Sequence, residues 1–212
     1  MRCSRVCVLV SGGMDSAVLL SEALRRFRAV QPLYIRCGLR WERAELFHLR
    51  KFLSSLRPPR PSPLSIVEVT TRDIYGPHWS LSGPDVPGYR SRDEKTYLPG
   101  RNILLLSKAA VFCALRGLPR LWLGPLRGNP FPDARPAFLK ALSVALRKGL
   151  DFPITIQAPF AGLRKRDIVV RGRDLPLHLT FSCLNPRGLR PCGQCNKCAE
   201  RDRGLKFFHP SK

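Results

Sequence analysis

The sequence of 212 residues predicts an α/β fold, a mostly parallel sheet with helices on both faces, extended by a C-terminal zinc-binding knuckle. Three observations predict it. Short continuous apolar runs alternate with amphipathic segments, a glycine turn separates the first run from the first helix, and four of the eight cysteines crowd into positions 183–198. The length suits one domain able to bury a core without obligatory disulfides.

Val6 to Val10 is a continuous apolar run, as in a strand buried on both faces. A helix is expected from about Asp15 to Phe27, with Val18, Leu19, Ala23 and Leu24 at helical spacing and Ser and Asp side chains near its start as caps. The pattern repeats with a strand at 29–37, a charged helix at 40–56, a Pro-rich connection at 57–63 and a strand at 64–69. Residues 72–97 have no periodicity and read as a long functional loop or lid. A helix at 103–116, a strand at 120–123, a helix at 135–150, a strand at 154–158 and a short helix at 164–172 complete the reading. Right-handed crossovers would cover both faces of such a sheet, with ligands beyond the carboxyl ends of its strands.

Ser11-Gly12-Gly13-Met14-Asp15-Ser16 follows the first strand, where free backbone N–H groups and a helix dipole would face an anion. Its glycines admit a phosphate closely, the Ser11 and Ser16 hydroxyls add donors, and Asp15 can fix the turn or help place a cation. No Gly-Lys-Ser/Thr follows, and there is no G-x-G-x-x-G. An ordinary strand-to-helix turn is the alternative.

Cys183, Cys192, Cys195 and Cys198 form C-x8-C-x2-C-x2-C, which brings thiolates into one tight knuckle around Gly193. Four thiolates suit a closed, structural zinc site, with an iron–sulfur cluster as the rival. Cys3, Cys7, Cys37 and Cys113 stand singly on apolar segments and are expected in the core. The chain carries 37 Lys and Arg against 15 Asp and Glu, a formal charge of +22. That charge favours polyanionic partners, nucleic acid among them. The 28 arginines are spread through every segment, however, and composition bias produces the same excess. With no apolar run long enough to span a bilayer and no recognisable signal peptide, a cytoplasmic protein with reduced thiols is expected.

Ser-Gly-Gly-x-Asp-Ser after a first strand resembles the PP-loop of the HUP-like ATP pyrophosphatases. The resemblance implies that Val10, Ser11, Gly12, Gly13, Met14, Asp15, Ser16, Ala17, Val18, Leu19 and Leu20 embrace ATP. Together with the cysteine cluster, four further stretches resemble the 7-cyano-7-deazaguanine synthase family of queuosine biosynthesis. These are Gly38 to Leu46, Tyr97-Leu98-Pro99-Gly100-Arg101-Asn102, Pro132 to Leu139, and Thr180 to Cys183 continuing through Cys198 and Arg201.

The resemblance implies an ATP-dependent carbon–nitrogen ligase. It would convert 7-carboxy-7-deazaguanine and ammonia, through an adenylate and an amide, to the nitrile 7-cyano-7-deazaguanine, with Mg2+ at the phosphates and Zn2+ in the knuckle. Asp15, Ser16, Arg101 and Asn102 become candidate catalytic residues. Arg101, Asn102, Asp133 and Arg135 become candidates for substrate binding. Asn102 could instead cap the following helix, and Asp133 with Arg135 could be a structural ion pair. Residues 1–180 would form the ATP-binding domain and 181–212 the zinc-binding segment packed on it. Family members imply a homodimer.

The chain also departs from the family pattern. Residues 124–135 are two shorter and lack the acidic D-x-S element, Phe131 replaces a Tyr, Trp41 replaces a His, Leu39-Arg40 disturbs the G-Q step, and the usual D-P-x-x-Y ending after Arg203 is missing. A diverged paralogue that adenylates another acid, a tRNA or a protein is one alternative. A non-catalytic zinc-containing nucleic-acid-binding protein is the other.

Overall fold

The computed structural model describes residues 3–82 and 84–207, with the side chains of Cys3 and Ser4 excluded; the expectation of a core Cys3 lies outside the described side chains. Among the described residues, β1 (Cys3–Leu9), β2 (Phe27–Arg36), β3 (Ser65–Glu68), β4 (Arg120–Trp122) and β5 (Thr155–Gln157) form one parallel sheet in the order β3-β2-β1-β4-β5. The helices are α1 (Met14–Arg26), α2 (Glu42–Ser55), α3 (Arg72–Tyr75), α4 (Arg101–Leu115), α5 (Pro136–Gly149), α6 (Lys165–Arg171) and α7 (Asn196–Lys206). The chain runs outward from β1 to β3 and returns past β1 to β4. The order therefore reverses between β1 and β4, where a crevice opens at the carboxyl ends of the strands.

Alternation along β1 decides which side chains face which helices. Val6 and Val8 pack with α1, α2 and α6 on one face, around Val18, Leu19, Phe52 and Ile168. Cys7 lies on the other face with Leu106, Ala110 and Cys113 of α4, Leu139 of α5, and Phe181, Cys183, Cys195 and Cys198. The sulfur knuckle is thus continuous with the core of the sheet.

Several expectations need correction. The cap of α1 is Gly13, with no side-chain cap bond, because Ser16 Oγ donates instead to Gly13 O at 3.0 Å. The described part of 72–97 is largely irregular, as expected of a long loop, though it includes α3 and a 3-10 turn at Asp93–Thr96 and is tethered near its middle. The Asn196 N–H donates to Pro87 O, its side-chain amide reaches Ser91 O and Asp93, and Gly88 bridges to Cys195. Helix α4 starts at Arg101 on a left-handed Gly100, so Asn102 is not its cap. Helix α7 has no counterpart among the helices expected from the sequence.

Candidate functional site

The first strand delivers the chain to Gly12, whose φ of +75° is open to glycine and strained for other residues. A Cβ there would also stand 3.0 Å from the backbone oxygen of Glu45, so the turn is pressed onto α2. Local bonds set the loop: Ser11 N–H donates to Ser16 Oγ at 3.2 Å, and the Phe181 N–H donates to Gly12 O at 2.8 Å. The first-turn amides of α1 have no intrahelical acceptor and stand at the edge of a cavity of about 350 Å³.

Val10, Ser11, Gly13, Met14, Asp15 and Ser16 line this cavity. Ala17, Val18, Leu19 and Leu20 are instead packed in the core beneath it, and Gly12 turns behind it. Across from the loop stands a chain of charges that the sequence did not reveal. Lys165 Nζ lies 2.8 Å from each Asp15 carboxylate oxygen and 2.7 Å from Glu200, and Glu200 lies 2.6 Å from Lys197. Burial pushes the Asp15 carboxyl up, against the pull of Lys165. Burial opposes the Lys165 charge, but Asp15 and Glu200 outweigh it and leave the ammonium held above its usual range.

Arg101 and Asn102 enter from the first turn of α4. The Arg101 Nε is buried with no hydrogen-bond partner among the described residues. Asn102 donates its backbone N–H and its side-chain amide to the two Asp133 oxygens, each at 3.0 Å. Asp133 therefore clamps Asn102, and no Asp133–Arg135 ion pair appears among the described residues. Arg135 is exposed at the start of α5, outside the cavity wall.

Deeper in the cavity, Tyr34 Oη donates to Glu45 Oε2 at 2.7 Å. Burial raises the Glu45 carboxyl to about 8; the Tyr34 bond and the Arg101 charge oppose this, and Glu42 adds to it. Two aromatic pairs form other walls: Trp41 on Trp79 at 5.9 Å and Tyr97 on Phe131 at 5.2 Å, both near parallel.

The four cysteine sulfurs lie within 4.8 Å of one another. Contacts of 3.6 Å (Cys183–Cys192), 3.9 Å (Cys192–Cys198), 3.9 Å (Cys183–Cys195) and 3.5 Å (Cys195–Cys198) outline a tetrahedron. A single ion bonded to four thiolates at 2.3 Å demands edges of about 3.8 Å. The donor set fits one such ion and is too tight to enclose a multi-iron cluster. Backbone N–H groups of Leu184, Asn185, Cys192 and Gln194 donate to the sulfurs and stabilise thiolate charge. Arg201 straps the adjoining turn, donating to Thr180 Oγ1 at 2.7 Å and to the Leu177 and His178 carbonyls.

The site residues missed in the sequence are Lys165, Lys197, Glu200, Glu45, Tyr34 and Trp79. Glu45 falls in the family-like stretch Gly38 to Leu46, and Lys165 opens a short helix after a strand; the other four carry no local signal. Asp15, the partner of Lys165, is 150 positions away.

The family described as queuosine biosynthesis protein QueC matches residues 5–209. A 7-cyano-7-deazaguanine synthase from Leptospira interrogans is 32% identical over 218 residues, covering 96% of this chain and 87% of that protein. One of the same name from Aquifex aeolicus is 32% identical, covering 95% and 96%. Among solved structures, the U34-tRNA thiolase NcsA from Methanococcus maripaludis with its 4Fe-4S cluster aligns with a TM-score of 0.53 at 13% identity, over 99% of this chain and 69% of that one. A predicted subunit of tRNA methyltransferase from Methanocaldococcus jannaschii aligns at 0.50 and 16% identity, over 80% and 75%. At these identities the two structures speak for the fold alone.

Proposed function

The chain belongs to the QueC family of queuosine biosynthesis proteins, and from that premise we propose how its cavity carries out the family reaction. It is an ATP-dependent carbon–nitrogen ligase that makes 7-cyano-7-deazaguanine from 7-carboxy-7-deazaguanine and ammonia. Each of the two carboxyl oxygens must be activated before it can leave. The carboxylate attacks the α-phosphorus of ATP and expels pyrophosphate, and ammonia displaces AMP to give the amide. The amide oxygen is then adenylated by a second ATP, and loss of AMP and protons gives the nitrile.

The observation that carries this reading is the convergence of the Ser11–Ser16 loop, Lys165 and Arg101 on one cavity. The amides at the start of α1 bind phosphate oxygens, and the Ser11 and Ser16 hydroxyls turn from their local acceptors to join them when phosphate enters. The unpaired Arg101 Nε donates to a phosphate or to the substrate carboxylate, the geometry that suits a guanidinium. Asn102, held by Asp133, presents a fixed polar edge to the adenylate or the base, and Asp133 acts through it as a positioning residue. Asp15 holds Lys165 at the loop until phosphate arrives. Mg2+, when bound with ATP, offsets phosphate charge.

The four cysteines hold Zn2+ as a structural ion, and residues 181–212 serve as the metal segment packed on an ATP-binding domain at 1–180. Among the described residues no helix is long and apolar enough to cross a membrane. A cytoplasmic setting with freely diffusing substrates accords with the reaction, and assembly as a homodimer belongs to the same reading.

The test gives the purified protein ATP, Mg2+, ammonium and 7-carboxy-7-deazaguanine, then follows pyrophosphate and analyses the small molecules by mass spectrometry. The expected result is the nitrile, with the amide as a transient. ATP binding without either product would overturn the assigned acid.

A further inference from the structure

Lys165, Lys197 and Glu200 form part of the cavity wall but belong to no part of the glycine loop. They join Asp15 in an alternating chain, carboxylate–ammonium–carboxylate–ammonium, with contacts of 2.8, 2.7 and 2.6 Å. The chain is neutral as it stands, and every member is largely covered, its side chain 23–30% exposed. An entering phosphate would compete with Asp15 for Lys165 but would leave Glu200 between its two lysines. Both ammonium groups would then face the nucleotide from the side opposite the loop.

Lys197 and Glu200 stand one turn apart on α7, and α7 begins in the knuckle. Cys195 is its cap, Cys198 lies in its first turn, and Lys197 falls between them. The other anchors of this turn are the Asn196 bonds to Pro87, Ser91 and Asp93. Further along, Gly204 packs against Met14 of α1 and Lys165 of α6. We propose that α7 is a phosphate-positioning arm: Glu200 holds Lys165 and Lys197 side by side facing the glycine loop, and the knuckle sets nucleoside triphosphate affinity by fixing the turn that carries them. This rests on the reading that ATP occupies the cavity. Glu200 is a positioning residue, and Lys197 is a phosphate ligand drawn from the metal segment.

The test uses the full chain loaded with zinc, and the same chain after chelation. ATP affinity is measured by calorimetry, and the KM for ATP and kcat by nitrile formation. Loss of a charge-assisted contact predicts an ATP Kd and KM about tenfold higher in Lys197→Met and in Glu200→Gln. Metal content should be unchanged and kcat should move less, with Lys197→Arg recovering most of the affinity. Chelation should weaken ATP binding by the wild type and add little in the Lys197→Met/Glu200→Gln double variant. Wild-type ATP affinity in both loaded variants would overturn the proposal, whatever chelation does to folding. So would a chelation effect in that double variant equal to that of the wild type. A wild type that binds ATP in this metal-dependent way but makes no nitrile would instead overturn the assigned acid and leave the arm in place.

Discussion

Asp15 and Glu45 are both carboxylates in one cavity, and their partners give them different chemistry. Asp15 faces an ammonium that keeps a counter-charge within 2.8 Å, whereas the hydrogen-bond partner of Glu45 is a neutral phenol. Replacing Asp15 with Ala should lower pyrophosphate release by about tenfold to a hundredfold, the range for one charge-assisted contact, while metal content and melting temperature stay near wild type. Lys165 keeps Glu200 in that variant, so an unchanged rate would remove Asp15 from the site. For Glu45 the folded protein binds its proton more tightly than the unfolded chain, with the carboxyl at about 8 instead of 4.5. Its contribution to stability is complete below 4.5 and falls as pH rises toward 8. Glu45→Gln should flatten that decline, and urea melts at several pH values would reveal it. An equally steep decline in the variant would locate the titration elsewhere.

At the scale of elements, the strands and main helices were legible because their apolar periodicity is local. The ends were less so: α4 starts two residues before its predicted position because Gly100 turns left-handed and lets Arg101 and Asn102 into the first turn. Helix α7 was invisible for a different reason. Its sequence, Asn196 to Lys206, is dominated by charged and small residues and has no amphipathic stripe. Its buried face is made of Asn196, Cys198, Ala199 and Gly204, and its first turn is held by the knuckle and by the docked 72–97 segment. The close approach of α6 to α1 offers a test of packing at this scale. A Cβ on Gly172 would lie 2.6 Å from Val18 Cγ2 and 2.8 Å from Leu177 Cδ1. Gly172→Ala should therefore destabilise the fold by about 1–3 kcal/mol, read as a lower urea midpoint with an unchanged slope.

For the whole molecule, the knuckle and the sheet share one apolar cluster, since Cys183, Cys195 and Cys198 pack with residues of β1, β2, β4 and α4. Losing the ion should therefore weaken the entire unit. Calorimetry after chelation, or of Cys195→Ala, should show one transition at lower temperature rather than an early separate melt of the C-terminal segment. Two resolved transitions would mean that the knuckle folds independently of the sheet.

The alternation of strands and helices, the glycine loop after β1 and the four-cysteine set can all be read along the chain. Each is written in neighbouring residues: period, turn chemistry and ligand spacing. The motif stretches likewise carried the resemblance to the family. It took the folded chain to bring Lys165 between Asp15 and Glu200, to give Asp133 to Asn102 instead of Arg135, and to set Glu45 in the cavity beside Tyr34. The reason is distance along the chain. An ion pair between residues 150 positions apart leaves no local pattern, and it exists because the reversal of strand order between β1 and β4 brings α1, α6 and α7 to one crevice.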